Sequence, residues 1–144
     1  MKKFILAGIV TFALAGGVAM AGEMSDARVA DMKAIGGSMK ALGDAAKAGG
    51  PITPELVAAA RKTAMLADGM LAKFPAGSAE YRAKPEIWSD WAGFEKAMMA
   101  MQTASKDLVT AAESGEAAKV GAALGAMGKT CGACHDDYRG PKPG

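Results

Sequence analysis

The chain has 144 residues, a formal charge of +2, 51% hydrophobic residues, two cysteines and one histidine. That length suits one domain of the usual ~100–150 residues, and the chain is too apolar and too nearly neutral to be disordered. Seventeen Lys and Arg against fifteen Asp and Glu leave no large positive field, so no nucleic-acid partner is expected. A single His excludes any centre that needs two imidazoles from one chain.

The first residues read as an export signal. Met1-Lys2-Lys3 is a short positive region, Phe4 to Val18 is uncharged and apolar, and Ala19-Met20-Ala21 has the small-x-small pattern of a signal-peptidase site. A retained membrane anchor is the rival reading, because the apolar run nearly reaches the ~20 residues of a spanning helix. Gly8, Gly16, Gly17 and the Ala-x-Ala site favour cleavage. The expected domains are therefore a cleaved signal peptide, 1–21, and one mature domain, 22–144. Cleavage leaves 123 residues with fifteen charges of each sign. It also places the mature protein in the periplasm, with no membrane attachment, where a cysteine pair can be oxidised or modified.

Four helical segments follow in chain order. The first runs from about Ser25 to Ala48, with Val29, Met32, Ile35, Met39, Leu42 and Ala46 at steps of three and four and Ser25 or Asp26 as the cap. Gly49-Gly50-Pro51 ends it. Thr53 then caps a second helix that opens on Pro54 and carries Leu56, Ala60, Thr63, Met70 and Phe74. Pro75 to Lys84 is irregular. Pro85 opens a third helix whose stripe is the cleanest in the chain, from Ile87 and Trp91 through Phe94, Met98, Met101, Ser105 and Leu108 to Ala112. Ser114-Gly115 breaks it, and a fourth helix carries Val120, Leu124, Met127, Cys131, Cys134 and Tyr138 before Gly140-Pro141. No stretch alternates at period two. Four amphipathic helices in 123 residues imply an all-α, antiparallel four-helix bundle, in which the long joint between helices two and three can cross the bundle.

The chemistry lies near the C-terminus. Cys131-Gly132-Ala133-Cys134-His135 is the C-x-x-C-H pattern of covalent haem attachment. Two thiols three apart on a helical turn can meet the two vinyl groups of one haem, and the adjacent imidazole is then held where it can ligate iron. Three other readings compete. A thiol–disulfide oxidoreductase needs its pair at a helix N-terminus after a strand, a structural disulfide of this spacing closes too small a loop to stabilise much, and zinc would lack a fourth ligand. Haem c, one per chain, is the reading that uses every residue of the pattern.

Cys131 to Arg139 near the C-terminus, Lys84-Pro85-Glu86-Ile87-Trp88, and Arg28 with Met32 and Met39 on helix one together resemble the class II c-type cytochromes, the cytochrome c′ family. The resemblance spans the mature chain, and the four-helix bundle is that family's own architecture. It implies Cys131 and Cys134 as thioether anchors and His135 as proximal iron ligand. It also implies that Arg139 lies close to the proximal face of the haem, and that Arg28 pairs with a propionate at the haem edge. Without it, both arginines read as solvated surface residues.

Met32 is the residue on which function turns. In this family its position faces the open side of the haem, and there a Met either packs over a five-coordinate, high-spin iron that takes NO or CO, or ligates it and closes an electron-transfer centre. Read alone, Met32 is core filler, as Met39 is. Gly36, Gly37, Gly121, Gly125 and Gly128 lie inside predicted helices, either because a flat macrocycle needs close backbone approach or because the bundle tolerates them. Trp88, Trp91 and Phe94 are expected in the core or beside the haem, and Asp136 and Asp137 on a solvated face. The stripe on helix one, with Ala34, Ala41, Ala45 and Ala48 beside it, offers a docking face for a homodimer, which the resemblance also implies.

The expected protein is a periplasmic monohaem c-type cytochrome without a catalytic acid–base set, passing one electron between redox partner proteins. The alternative is a haem protein binding NO or CO at an open distal site. A thiol–disulfide oxidoreductase comes last.

Overall fold

A computed structural model describes residues 15–142, with side chains from residue 20. Five helices follow in order: α1 (Ala15–Ala48), α2 (Pro54–Met70) with a single 3-10 turn after it (Leu71–Lys73), α3 (Glu86–Ser89), α4 (Trp91–Glu113) and α5 (Ala117–Tyr138). No strand forms among the described residues. One isolated antiparallel bridge joins Ala83 to Arg139.

The four long helices close a ring in which α1 packs on α2, α2 on α4, α4 on α5 and α5 on α1. Each neighbouring pair runs antiparallel. Arg61 meets Glu113 at 2.7 Å and Asp68 meets Lys106 at 3.1 Å, so the numbers fall on α4 as they rise on α2. Gly43 lies against Leu124 and Ala46 against Gly121 in the same sense. The long joint therefore connects neighbours at one end of the bundle and does not cross it, contrary to the expectation above. Ile35, Leu42, Met70, Phe94, Met98, Leu108, Val120 and Met127, all buried, fill the space between the helices.

Three boundaries differ from the sequence reading. Helix one begins at least ten residues before Ser25, because the Ala- and Gly-rich segment before it holds no proline or cap strong enough to stop a helix. Ser25 is 5% exposed inside the helix and caps nothing, while Ala21 is buried beside it. Helix two stops before Phe74, which closes the 3-10 turn by donating its N–H to Leu71 O at 3.2 Å. Helix three is two helices. Asp90 leaves helical geometry (φ −121°, ψ 54°) and its carboxylate accepts the N–H of Gly93 at 3.3 Å, so the chain ends α3 and caps α4 at one residue. The break turns Trp91 outward to 37% exposure, whereas the rest of the predicted stripe, Ile87 and Phe94 to Ala112, is buried.

The predicted turns hold. Thr53 caps α2 by accepting the N–H of Leu56 at 3.4 Å, and Gly115, at φ +73°, makes the left-handed turn after α4 that a side chain resists. Residues 1–14 of the predicted leader lie outside the described residues. Among the described residues no helix is long and apolar enough to cross a membrane.

Candidate haem site

Antiparallel packing brings four distant segments together: residues 25–39 of α1, the 74–85 loop, the start of α4 and the end of α5. Between them lies a cavity of about 430 Å³. Its walls are mostly apolar, built from Ile35, Met39, Phe74, Ile87, Phe94 and Met98, among others. Every site residue expected from the sequence borders it: Cys131, Cys134, His135 and Arg139 from α5 and its cap, and Arg28 and Met32 from α1.

The two thiols are free and half-buried. Burial pushes both up, and Cys134 reaches about 11 with help from Cys131 and Asp137. A redox-active thiol is shifted the opposite way. His135 is shifted down by burial and then by the charges of Arg139 and Arg82. At neutral pH it is therefore an uncharged imidazole with a nitrogen lone pair free to donate.

Arg28 is 6% exposed and firmly held. One guanidinium nitrogen donates to Lys73 O at 2.9 Å and Ser78 Oγ at 3.0 Å, the other to Ser78 O at 2.8 Å. Its Cζ lies over the Phe74 ring, 4.7 Å from the centroid. Burial lowers its pKa, partly offset by Glu80. Together with an ion pair between Lys73 and Asp31, these bonds tie the 74–85 loop to α1 and form one wall of the cavity.

Arg139 is exposed at the rim, its backbone N–H donating to His135 O at 3.1 Å. Lys33 and Arg82 join Arg28 and Arg139, so four cations and one carboxylate, Glu80, border a mostly apolar cavity. That is the lining a flat apolar macrocycle with two carboxylates requires. Two thiols and an imidazole within about one turn of α5 complete the donor set, and the residues present fit a c-type haem.

Sequence reasoning missed Arg82, Glu80 and Phe74 at this cavity, and Lys33 beside Met32. The first three come from, or border, a loop without periodicity, so only tertiary contact reveals them. Of the helix glycines, Gly36 alone borders the cavity, and a Cβ there would meet nothing within 4 Å.

A family model described as Cytochrome C′ matches residues 23–139. The chain belongs to the cytochrome c′ family. It is 31% identical over 145 residues to cytochrome c′ of Rhodospirillum rubrum, covering 96% of this chain and 99% of that one. It is 40% identical over 121 residues to cytochrome c-556 of Agrobacterium tumefaciens (strain II Chrys), covering 83% and 98%. The fold superposes on a nitric oxide complex of a point mutant of cytochrome c prime from Alcaligenes xylosoxidans with a TM-score of 0.79 and 29% identity, covering 85% of this chain and 97% of that one. As a cytochrome c′ family member the protein is a monohaem cytochrome with one covalent haem c, an iron-binding protein of electron transport, folded as a four-helix bundle.

Proposed function

We propose that this cytochrome carries single electrons in the periplasm at a haem held by Cys131 and Cys134 and ligated by His135. The observation that carries the reading is that Met32 on α1 borders the same cavity as His135 on α5. A thioether and an imidazole on one iron close it to outside ligands and raise its potential. The haem supplies the redox centre; the chain's own residues bind and shield it. Arg28, Lys33, Arg82 and Arg139 balance its carboxylates, while Phe74, Phe94 and Met98 exclude water.

A second reading has its own support. The neighbouring fold holds nitric oxide, and the space over Gly36 leaves room beside Met32. If Met32 only packs, the iron is open and the protein binds NO or CO. Optical spectra of the dithionite-reduced protein with and without CO test both. Resolved visible bands unmoved by CO are the expected result. One broad band that shifts with CO would replace the carrier with a gas binder, and no Soret band would remove the haem reading.

Export rests on Met1–Ala21. The match to the family begins at residue 23, and 83% of this chain spans 98% of the Agrobacterium relative, which supports a mature chain from Gly22. Mass spectrometry of the periplasmic fraction should find haem plus residues 22–144. An intact chain in the membrane fraction would favour the anchor. Whether two copies pair through the alanine face of α1 is tested by sedimentation of the holoprotein.

A further inference from the structure

His135 occupies the last turn of α5, where backbone carbonyls lack helical partners and helices fray unless tied down. Tyr138, three residues on, is the final helical residue. Its ring is buried and packs edge-on against Phe94 at 5.2 Å, and that contact alone would satisfy its apolar surface. Its hydroxyl does something more specific, donating to Asp90 Oδ2 at 2.7 Å. The other oxygen of Asp90 caps α4 through Gly93 N. A Cβ at Gly93 would lie 2.6 Å from the Tyr138 hydroxyl and 2.8 Å from Asp90 Cγ, so the pair fits only over a glycine. Lys84 N–H donates to Tyr138 O at 3.1 Å and Gly140 N–H to Arg82 O at 2.7 Å, which holds the backbone on the other side.

We propose that the Tyr138–Asp90 hydrogen bond over Gly93 is a clamp that positions His135 in the haem cavity. The inference rests on His135 being the iron ligand, as proposed above. The α5 backbone is unbroken from Cys131 to Tyr138, so a helix held at Tyr138 cannot turn or fray at His135, one turn earlier along a rigid rod. Tyr138 and Asp90 are positioning residues. Tyr138 also borders the cavity and Asp90 does not, so Asp90 acts only through Tyr138 and the α5 backbone.

The test uses full-length holoprotein with Tyr138→Phe, Gly93→Ala and the pair combined, none of which changes a charge. Haem content should stay at one per chain. A loosely held imidazole donates less well, and donation favours ferric iron, so the reduction potential should rise. A shift of at least threefold in the one-electron equilibrium constant is expected in each single variant, about 28 mV at 59 mV per decade. Because both changes break one device, the double variant should move no further than the larger single one. An unchanged potential in Tyr138→Phe, with only a lower melting temperature, would overturn the clamp; should Gly93→Ala fail to fold, Tyr138→Phe still decides. Wild-type protein without haem would overturn both readings, and is distinguished by its missing Soret band.

Discussion

Met32 shows how much one side chain can decide. Met32→Leu keeps roughly the same volume while removing the sulfur, so it should cost under ~1.5 kcal/mol of stability. If the thioether ligates the iron, that variant's reduced spectrum should collapse to one broad band and begin to respond to CO; an unchanged spectrum would show that Met32 only packs. Tyr138 offers a pH readout at the same scale. Its hydrogen bond to Asp90, then burial, push its phenol up to about 12. A folded-state pKa above the ordinary tyrosine value of ~10 gives stability that is full below pH ~10 and lost as pH rises towards 12. A difference titration of phenolate absorbance, wild type minus Tyr138→Phe, should have its midpoint near 12. A midpoint near the ordinary value would mean that the Asp90 bond is absent in solution.

The break at Asp90 is the informative feature among the elements. Apolar spacing continues across it, since Ile87 and Phe94 both face the core, and a stripe of that kind signals one helix. What the stripe cannot register is a carboxylate that finds its own backbone N–H three residues on, and a tyrosine 48 residues away. The two caps can be ranked. Thr53 accepts at 3.4 Å, a long bond, so Thr53→Ala should cost about 0.5 kcal/mol, the low end for a cap. Asp90→Ala loses a cap and the partner of Tyr138 together and should cost clearly more in urea unfolding. Equal losses would mean that the Tyr138 bond contributes nothing to stability.

Across the whole molecule, the haem end and the far end of the bundle should differ in their need for cofactor. Without its group, the open cavity of about 430 Å³ would leave its apolar walls facing water. Cys131→Ser with Cys134→Ser, which cannot form thioethers, should therefore lose amide-exchange protection in residues 25–39 of α1, in the 74–85 loop and at the end of α5. Protection should persist where Leu42, Leu108 and Val120 pack. Uniform protection across both ends would show that the bundle does not depend on the haem.

The sequence by itself determined the helical class and the turns at Gly49-Gly50-Pro51 and Ser114-Gly115, and it marked Cys131 to His135 as a C-x-x-C-H pattern. These are local properties: apolar period, backbone permissiveness, and the spacing of donors on one helical turn. It also marked Arg28 and Met32, though only through resemblance, since a lone arginine or methionine on a helix carries no signal of its own. Tertiary structure decided the rest. It set the ring order of the helices, the turn at Asp90, the hold of Arg28 on the 74–85 loop, and the meeting of Lys33, Arg82 and Glu80 at the cavity rim. Each of these depends on residues distant along the chain approaching in space, and antiparallel packing of the helices, not any local pattern, brings them together.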